Sequence, residues 1–243
     1  DVSLTYFEFG TLAAFDLFNR HTLDVVLLEI GLGGRLDAVN IVDPDVAVVT
    51  TVALDHESWL GSDREKIGFE KAGVFRRDRA AIYGEPDIPA SVRKHADRID
   101  ASLMVWGSDF GVTEEETASW CWKGTDDTGA ECRIDGLSYP LLPFANASTA
   151  IQAVKQLPLS VSDEAVRQGI EKAALTGRFQ QLDLQGRQVI LDVAHNPHAA
   201  ANLAKRLNDQ RVPVHCVLGM LADKDIAATL EQLAPAVDHW YPA

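Results

Sequence analysis

The chain has 243 residues, of which 47% are hydrophobic and 24% are charged, so its composition is that of a folded globular protein and not of a disordered one. Its 22 basic and 36 acidic residues give a net charge of −14, which argues against nucleic-acid and membrane-surface roles, because both need a basic surface. No apolar run is long enough to cross a bilayer, and three cysteines are too few for a disulfide framework or a zinc site, which fits a cytoplasmic protein.

Both ends of the chain resemble cuts in a longer protein. The chain begins at Asp1 instead of a methionine and enters a helical pattern at once. It stops at Ala243, directly after an apolar stretch with the character of a strand. We therefore expect this sequence to be one part of a larger protein.

The first hundred residues alternate between helical and strand patterns. Apolar residues at helical spacing predict a helix over 4–19, with Ser3 as its N-cap. Compact, β-branched apolar runs predict buried parallel strands over 24–30 and 45–52. A helix, a short strand and another helix follow at 62–74, 80–83 and 89–100. This alternation predicts an α/β fold with a parallel sheet.

The middle of the chain has a different character. Residues 102–143 contain short alternating segments separated by Gly, Asp and Thr, which predict a small antiparallel meander. Apolar residues at helical spacing then predict helices over 146–156 and 163–174.

A second alternation of strands and helices begins near the C-terminal quarter. Residues 177–185 have the composition of a turn and connector. A strand, a helix and a strand are then predicted at 188–193, 198–207 and 212–218. We therefore place a domain boundary near 180–186, which gives domains of residues 1–182 and 186–243.

Polar side chains follow several of the predicted strands, where ligands bind in parallel α/β sheets. Glu29 lies in an apolar run, so its carboxylate needs a cation or strong donors; a metal ion and an ion pair with Arg35 are equally open. Asp55 and His56 follow the second strand, and the histidine could act as a general base, a metal ligand or a packed imidazole.

Three further features also have more than one interpretation. The glycines at 31–34 lack the third glycine of the dinucleotide-binding fingerprint, so a tight turn or close backbone approach to a ligand is favoured. Lys71, taken alone, is a solvated helix lysine. Asp192 and His195 could bind a ligand or could simply cap the following helix.

Together, five segments resemble one family. In the folylpolyglutamate synthases, which are ATP-dependent amide ligases of the Mur-ligase superfamily, similar segments occur in the same order: DVVLLEIGLGGRLDAVN, ALDHESWLG, EKAGVFR, GRF and DVAHNPHA. The SLTYFE opening and the LDA of 36–38 are most similar to the bifunctional bacterial branch, which is also a dihydrofolate synthase. The resemblance implies a parallel-sheet central ATPase domain with a small antiparallel meander, followed by a partial Rossmann-like α/β C-terminal domain.

The resemblance also implies a reaction. The family uses ATP to activate a carboxylate as an acyl phosphate, which the amine of L-glutamate then attacks. The implied ligands are ATP, Mg²⁺, L-glutamate, and dihydropteroate or tetrahydrofolate. The implied protein is a monomer with no nucleic-acid or membrane partner.

Specific residues match the family's functional positions. Glu29 and His56 match its metal ligands, and Lys71 matches a lysine that is carboxylated by CO₂, which replaces a cation beside Mg²⁺ by an anion. His56 and the carboxylated Lys71 are thus the implied catalytic residues. The implied substrate-side residues are Thr5, Tyr6, Phe7, Glu8, Leu36, Asp37 and Ala38. The implied nucleotide-side residues are Asn146, Arg178, Asp192 and His195, with 177–185 as a hinge beside ATP.

One family feature is absent from this sequence. The glycine-rich phosphate loop, G-x-x-G-K-[ST], does not occur, and we expect it before Asp1, so the chain alone is expected to be inactive. Three alternatives remain: a Mur ligase acting on peptidoglycan precursors, a non-catalytic binding module, and an NAD-dependent oxidoreductase.

Overall fold

The computed structural model describes residues 2–53, 63–115, 119–210, 212–222 and 224–243. Two compact units are present. The first comprises Asp1–Tyr139 and Pro143–Ile170, and the second comprises Pro140–Leu142 and Glu171–Ala243. The unit boundary precedes the domain boundary expected near 180–186, and the domain assignment itself stays a prediction. Within the described residues, no helix has the length and apolar character needed to span a membrane.

The first unit contains most of the helices and strands. In chain order, and including α5, which continues into the second unit, its elements are α1 (Tyr6–Asn19), β1 (Val46–Val49), α2 (Arg64–Ala72), β2 (Ala80–Tyr83), α3 (Ala90–Ile99), β3 (Ser102–Val105), β4 (Gly111–Glu115), β5 (Ser119–Thr125), β6 (Glu131–Ser138), α4 (Phe144–Lys155) and α5 (Asp163–Lys172). The mixed α/β class predicted from the sequence is confirmed.

A parallel sheet with the order β1-β2-β3 organises the first unit. Val46 aligns with Ala80, and Ala80 aligns with Ser102. The sequence predicted residues 102–105 as part of the antiparallel meander, but β3 is parallel because α3 carries the chain back along β2 before β3 begins. The meander itself is confirmed as the antiparallel sheet β4-β5-β6.

Residues on the two faces of this sheet enter separate apolar clusters. Ala81 and Tyr83 of β2 pack in one cluster with Ile67 of α2, while Ile82 packs in the other. Because successive strand side chains point to opposite faces, one short strand contributes to both clusters. The second cluster also contains Trp120 of the meander, which is fully buried.

The predicted strand at 24–30 is wrong. This segment has no strand assignment, and no strand among the described residues pairs with it. Leu27 is 93% exposed, and Val25 and Val26 are exposed as well. A strand requires hydrogen bonds to a neighbouring strand, so an apolar, β-branched composition is not enough to form one.

The second unit begins with an antiparallel hairpin. Its elements are β7 (Gln180–Leu184), β8 (Arg187–Leu191), α6 (Pro197–Asn208), β9 (His215–Leu218), α7 (Ile226–Leu233) and β10 (His239–Pro242), with β9 and β10 parallel. The prediction that 177–185 is a turn and connector is therefore wrong, because β7 occupies most of it. Gln185 and Gly186, both with positive φ, make the tight turn that allows β7 and β8 to pair.

Candidate functional site

A cleft of about 830 Å³ opens in the first unit. Three segments line it: the start of α1, the loop that follows residue 30, and one face of α2. The cleft brings together most of the predicted substrate-side residues, namely Thr5, Phe7, Glu8, Leu36, Asp37 and Ala38. Tyr6 does not line the cleft, and its side chain is 94% exposed.

The first wall of the cleft is fixed by a capping box at the start of α1. The Thr5 hydroxyl accepts a hydrogen bond from the Glu8 amide at 3.2 Å, and the Glu8 carboxylate accepts one from the Thr5 amide at 2.7 Å. These bonds to Thr5 hold the pKa of Glu8 below its ordinary value. The N-cap is thus Thr5 and not Ser3, because only Thr5 is followed three residues later by a glutamate.

The second wall is a loop that Asp37 closes. One carboxylate oxygen of Asp37 accepts hydrogen bonds from the amides of Gly31 and Leu32, each at 3.0 Å. The other oxygen accepts from the amide of Val39 at 2.9 Å and caps the 3₁₀ turn Ala38–Ile41. Gly33 has a φ of 69°, a left-handed conformation that favours glycine within this turn.

The third wall is α2, which the sequence analysis did not assign to the substrate side. Glu65, Lys66, Phe69 and Glu70 line the cleft from this helix. Their spacing of three and four residues places them on one face, a pattern that was visible in the sequence. The Glu65 carboxylate also accepts hydrogen bonds from the amides of Ala90 and Ser91, and the bond from Ser91 is the main cause of its lowered pKa.

The structure resolves one alternative about Glu29. Arg35 forms an ion pair with Glu70 at 3.0 Å instead of the pair with Glu29 that the sequence left open. Glu29 is exposed, two residues before the loop that Asp37 closes. Its carboxylate has the hard oxygen atoms that Mg²⁺ prefers, so the residue fits a metal-binding role, which stays a prediction.

Of the other residues that the sequence predicts at or beside the metal site, His56 and Lys71, only Lys71 lies within the described ranges. Asp55 and His56 lie outside the described residues. Lys71 lies in the last turn of α2 and is half-buried. Across the described ranges, no three His, Cys, Asp or Glu side chains lie close enough together to hold a metal ion.

The predicted nucleotide-side residues occur in both units. In the first unit, Asn146 lies in the first turn of α4 and is exposed. In the second unit, Arg178 is exposed within a turn in which its amide donates to the carbonyl of Leu175 at 3.1 Å. The Nδ1 atom of His195 lies 3.0 Å from the carbonyl oxygen of Val193. Their contacts with a nucleotide stay predictions.

Asp192 has a structural role in the second unit. Its carboxylate accepts hydrogen bonds from the amides of Phe179 at 2.7 Å and Ala194 at 2.8 Å. Phe179 has a φ of 45°, and the Arg206 guanidinium lies over its ring at 3.6 Å from the centroid. Arg206 was not among the predicted site residues, because α6 brings it to Phe179 from a distant part of the chain.

The chain is similar to proteins of known function. Residues 177–243 match the family model for the Mur ligase, glutamate ligase domain. Over 247 residues, the chain is 50% identical to the dihydrofolate synthase/folylpolyglutamate synthase of Escherichia coli K12, covering 100% of this chain and 56% of that protein. The chain thus spans a little over half the length of such relatives.

Solved structures extend the similarity to the fold. One is E. coli FolC in complex with DHPP and ADP, with a TM-score of 0.91, 48% identity, and coverage of 99% of this chain and 57% of that chain. Another is a bifunctional folylpolyglutamate synthase/dihydrofolate synthase with Mn, AMPPNP and L-glutamate bound. Its TM-score is 0.88 at 51% identity, and the match covers 99% of this chain and 57% of that chain.

The role of Asp37 in closing the loop can be tested by substitution. Asp37→Ala removes the acceptor for three amides, so hydrogen exchange at Gly31, Leu32 and Val39 should accelerate, by roughly 10-fold or more if about 1.4 kcal/mol of local stability is lost. Asp126→Ala is the matched control, because Asp126 closes a separate turn by accepting from Thr128 and Ala130. Unchanged exchange at 31, 32 and 39 in Asp37→Ala would show that the carboxylate does not hold the loop.

Proposed function

Because the chain belongs to the dihydrofolate synthase/folylpolyglutamate synthase family of Mur ligases, we propose that the protein containing it joins L-glutamate to the carboxylate of a pterin-containing substrate at the expense of ATP. Dihydropteroate and tetrahydrofolate are the proposed acceptors. The observation that carries the proposal is the cleft, which unites two segments that are far apart in sequence and that both match the family's substrate side.

The cleft has the chemistry that a pteridine requires. The pterin of these substrates is a flat, fused two-ring system with amino and amide N–H donors along one edge. Phe7, Leu36 and Phe69 supply apolar surface, and the side chains of Phe7 and Leu36 are 47% and 79% exposed. Glu8 and Asp37 supply carboxylate oxygens that can accept from the ring's donors.

The proposed reaction has two steps. An oxygen of the substrate carboxylate attacks the γ-phosphorus of ATP, which forms an acyl phosphate and releases ADP. The amine of L-glutamate then attacks the acyl carbon, and inorganic phosphate leaves as the amide forms and a proton is lost. The cleft's role is to hold the carboxylate-bearing substrate in a fixed orientation for both attacks.

A divalent metal would neutralise the phosphate charge during this reaction. We propose Glu29 and His56 as its ligands and Lys71, in carboxylated form, as the anion that orients them. Asn146, Arg178, Asp192 and His195 are the proposed contacts of the nucleotide. Arg178 suits phosphate because its guanidinium stays charged and can donate to two oxygens at once.

The composition of the chain also bears on the cellular location and oligomeric state of the protein. We propose that it is a cytoplasmic monomer, in keeping with its few cysteines and its acidic composition. The comparisons favour the folate branch over a peptidoglycan-precursor ligase and over an NAD-dependent oxidoreductase, since the relatives named above are folate ligases.

The activity is tested with the complete reading frame that contains this chain. With ATP and Mg²⁺, we expect labelled L-glutamate to be incorporated into dihydropteroate. Glu29→Gln should lower kcat by roughly 10²-fold or more, because a neutral amide is a poor ligand for Mg²⁺. Glu131→Gln, an exposed change at the start of β6, is the control and should retain wild-type activity. Wild-type protein that incorporates no glutamate, or Glu29→Gln with normal activity at low Mg²⁺, contradicts the proposal.

Carboxylation of Lys71 has a separate test. Lys71→Ala should lose most of the activity, about 10²-fold or more, and added acetate or formate should restore part of it by replacing the missing anion. Lys94→Ala, in an exposed position of α3, should behave as wild type and should not respond to acetate. The same protein supplied with ¹³C-labelled CO₂ should show a carbamate signal by NMR that Lys71→Ala lacks. A wild-type enzyme that is fully active without that signal rules out the modification.

A further inference from the structure

The loop that carries the predicted substrate residues is attached to α2 by side-chain and main-chain hydrogen bonds from Arg35 to Glu70. The Arg35 side chain donates to both carboxylate oxygens of Glu70, with N–O distances between 3.0 and 3.2 Å. The Arg35 amide also donates to the Glu70 carbonyl at 2.8 Å. Arg35 directly precedes Leu36–Ala38, and Glu70 directly precedes Lys71.

Two glycines allow this attachment. A Cβ atom at Gly34 would lie 2.7 Å from the Glu70 carbonyl oxygen and 3.0 Å from that of Lys71, which is too close for any other residue. A Cβ atom at Gly73 would collide with the backbone and side chain of Arg35. The loop backbone is therefore in direct contact with the last turn of α2.

A second attachment lies on the other side of the same loop. Asn40 Nδ2 donates to the carbonyl oxygens of Arg35 at 3.2 Å and Gly73 at 3.0 Å. Arg76 in turn donates to the Asn40 carbonyl at 2.7 Å. Bonds on both sides of residues 36–38 therefore connect this segment to the chain around Lys71.

The Arg35–Glu70 ion pair should affect the geometry of the cleft more than the global stability of the protein. With 42% and 25% of the side chains accessible, the pair is partly solvated, and such pairs contribute little to global stability. The planar guanidinium nevertheless fixes the direction of a carboxylate that it binds through two nitrogens. Arg35 also lies over Phe69, with the guanidinium carbon 5.7 Å from the ring centroid, and Phe69 and Glu70 both line the cleft.

We propose that Arg35 and Glu70 are positioning residues that hold the substrate segment Leu36–Ala38 at a fixed distance from Lys71. This inference rests on the proposed function. The pair keeps two walls of the cleft in one arrangement, so that a substrate bound against Leu36–Ala38 has its carboxylate in a constant position relative to the lysine. A displacement of about 1 Å at such a site is enough to lower a rate roughly 10²-fold.

The test uses the complete protein and dihydropteroate as the varied substrate. Arg35→Gln should lower kcat/KM for dihydropteroate by roughly 10-fold to 100-fold, while the KM for ATP and the melting temperature stay near their wild-type values. Glu70→Gln should also lower kcat/KM for dihydropteroate. In the double variant Arg35→Gln/Glu70→Gln, kcat/KM should fall no further than in the more impaired single variant, because both substitutions remove the same ion pair. Arg77→Gln, which breaks the Arg77–Asp100 ion pair away from the cleft, is the matched control and should change none of these values.

Three outcomes would overturn the inference. They are a normal kcat/KM in Arg35→Gln, losses in the two single variants that multiply in the double variant, and a loss that a lower melting temperature explains. If Arg35→Gln does not fold, Arg35→Lys replaces it, with a smaller loss expected because lysine keeps the charge but has one nitrogen donor.

Failure of the proposed function is a separate result. It appears as a wild-type protein with no glutamate incorporation. In that case, hydrogen exchange at the amides of Leu36–Ile41 decides the inference, since Arg35→Gln should accelerate this exchange and Arg77→Gln should not. Equal exchange in the two variants would contradict a positioning role.

Discussion

The close contact between a glycine-rich loop and the last turn of α2 is the constraint on which the site depends. Gly34 is buried against the main chain of Glu70 and Lys71, where no side chain fits. Arg35, the next residue, can then use both its amide and its guanidinium on Glu70. The loop itself contains no regular structure other than one 3₁₀ turn, so its contacts with α2 and the carboxylate of Asp37 determine its shape.

The contact between this loop and α2 also connects the fold to the proposed chemistry. The parallel sheet and its apolar clusters hold α2 through Ile67 and Ala72, both fully buried. The opposite face of α2 supplies one wall of the cleft, and its last turn holds the loop that supplies another. The helix thus carries the proposed catalytic lysine and contacts the proposed substrate segment, which is the arrangement that a reaction sensitive to orientation requires.

Local patterns predicted the elements whose own residues have the periodicity or composition of a helix or a strand. The helix at Tyr6–Asn19 and the strand at Ala80–Tyr83 follow from periodicity and composition. The segment at 24–30 has the composition of a buried strand but no strand to pair with among the described residues, and composition cannot reveal the absence of a pairing strand. The strand at Gln180–Leu184 was missed because its alternating polar residues lie in an exposed hairpin.

The residues of the candidate site, like the helices and strands, could be predicted from the sequence only in part. The segments at 5–8 and 36–38 were predicted to bind substrate from their resemblance to one family, and the structure places most of those residues around one cleft. The Arg35–Glu70 pair was not predictable, because 35 residues separate its members and only tertiary structure brings them together. Asp37 and Asp192 show the converse, since each was expected to bind a ligand and each also holds a turn.

The contact between the loop and α2 is tested by the affinity of the complete protein for dihydropteroate when Gly34 carries a side chain. Gly34→Ala should weaken binding, measured by calorimetric titration, by roughly 10-fold or more, because the added Cβ pushes the substrate loop away from α2. Gly10→Ala, a change in α1 with open space around it, should leave the affinity unchanged. A folded Gly34→Ala protein that binds dihydropteroate as tightly as the wild type would show that the contact between the loop and α2 does not determine substrate affinity.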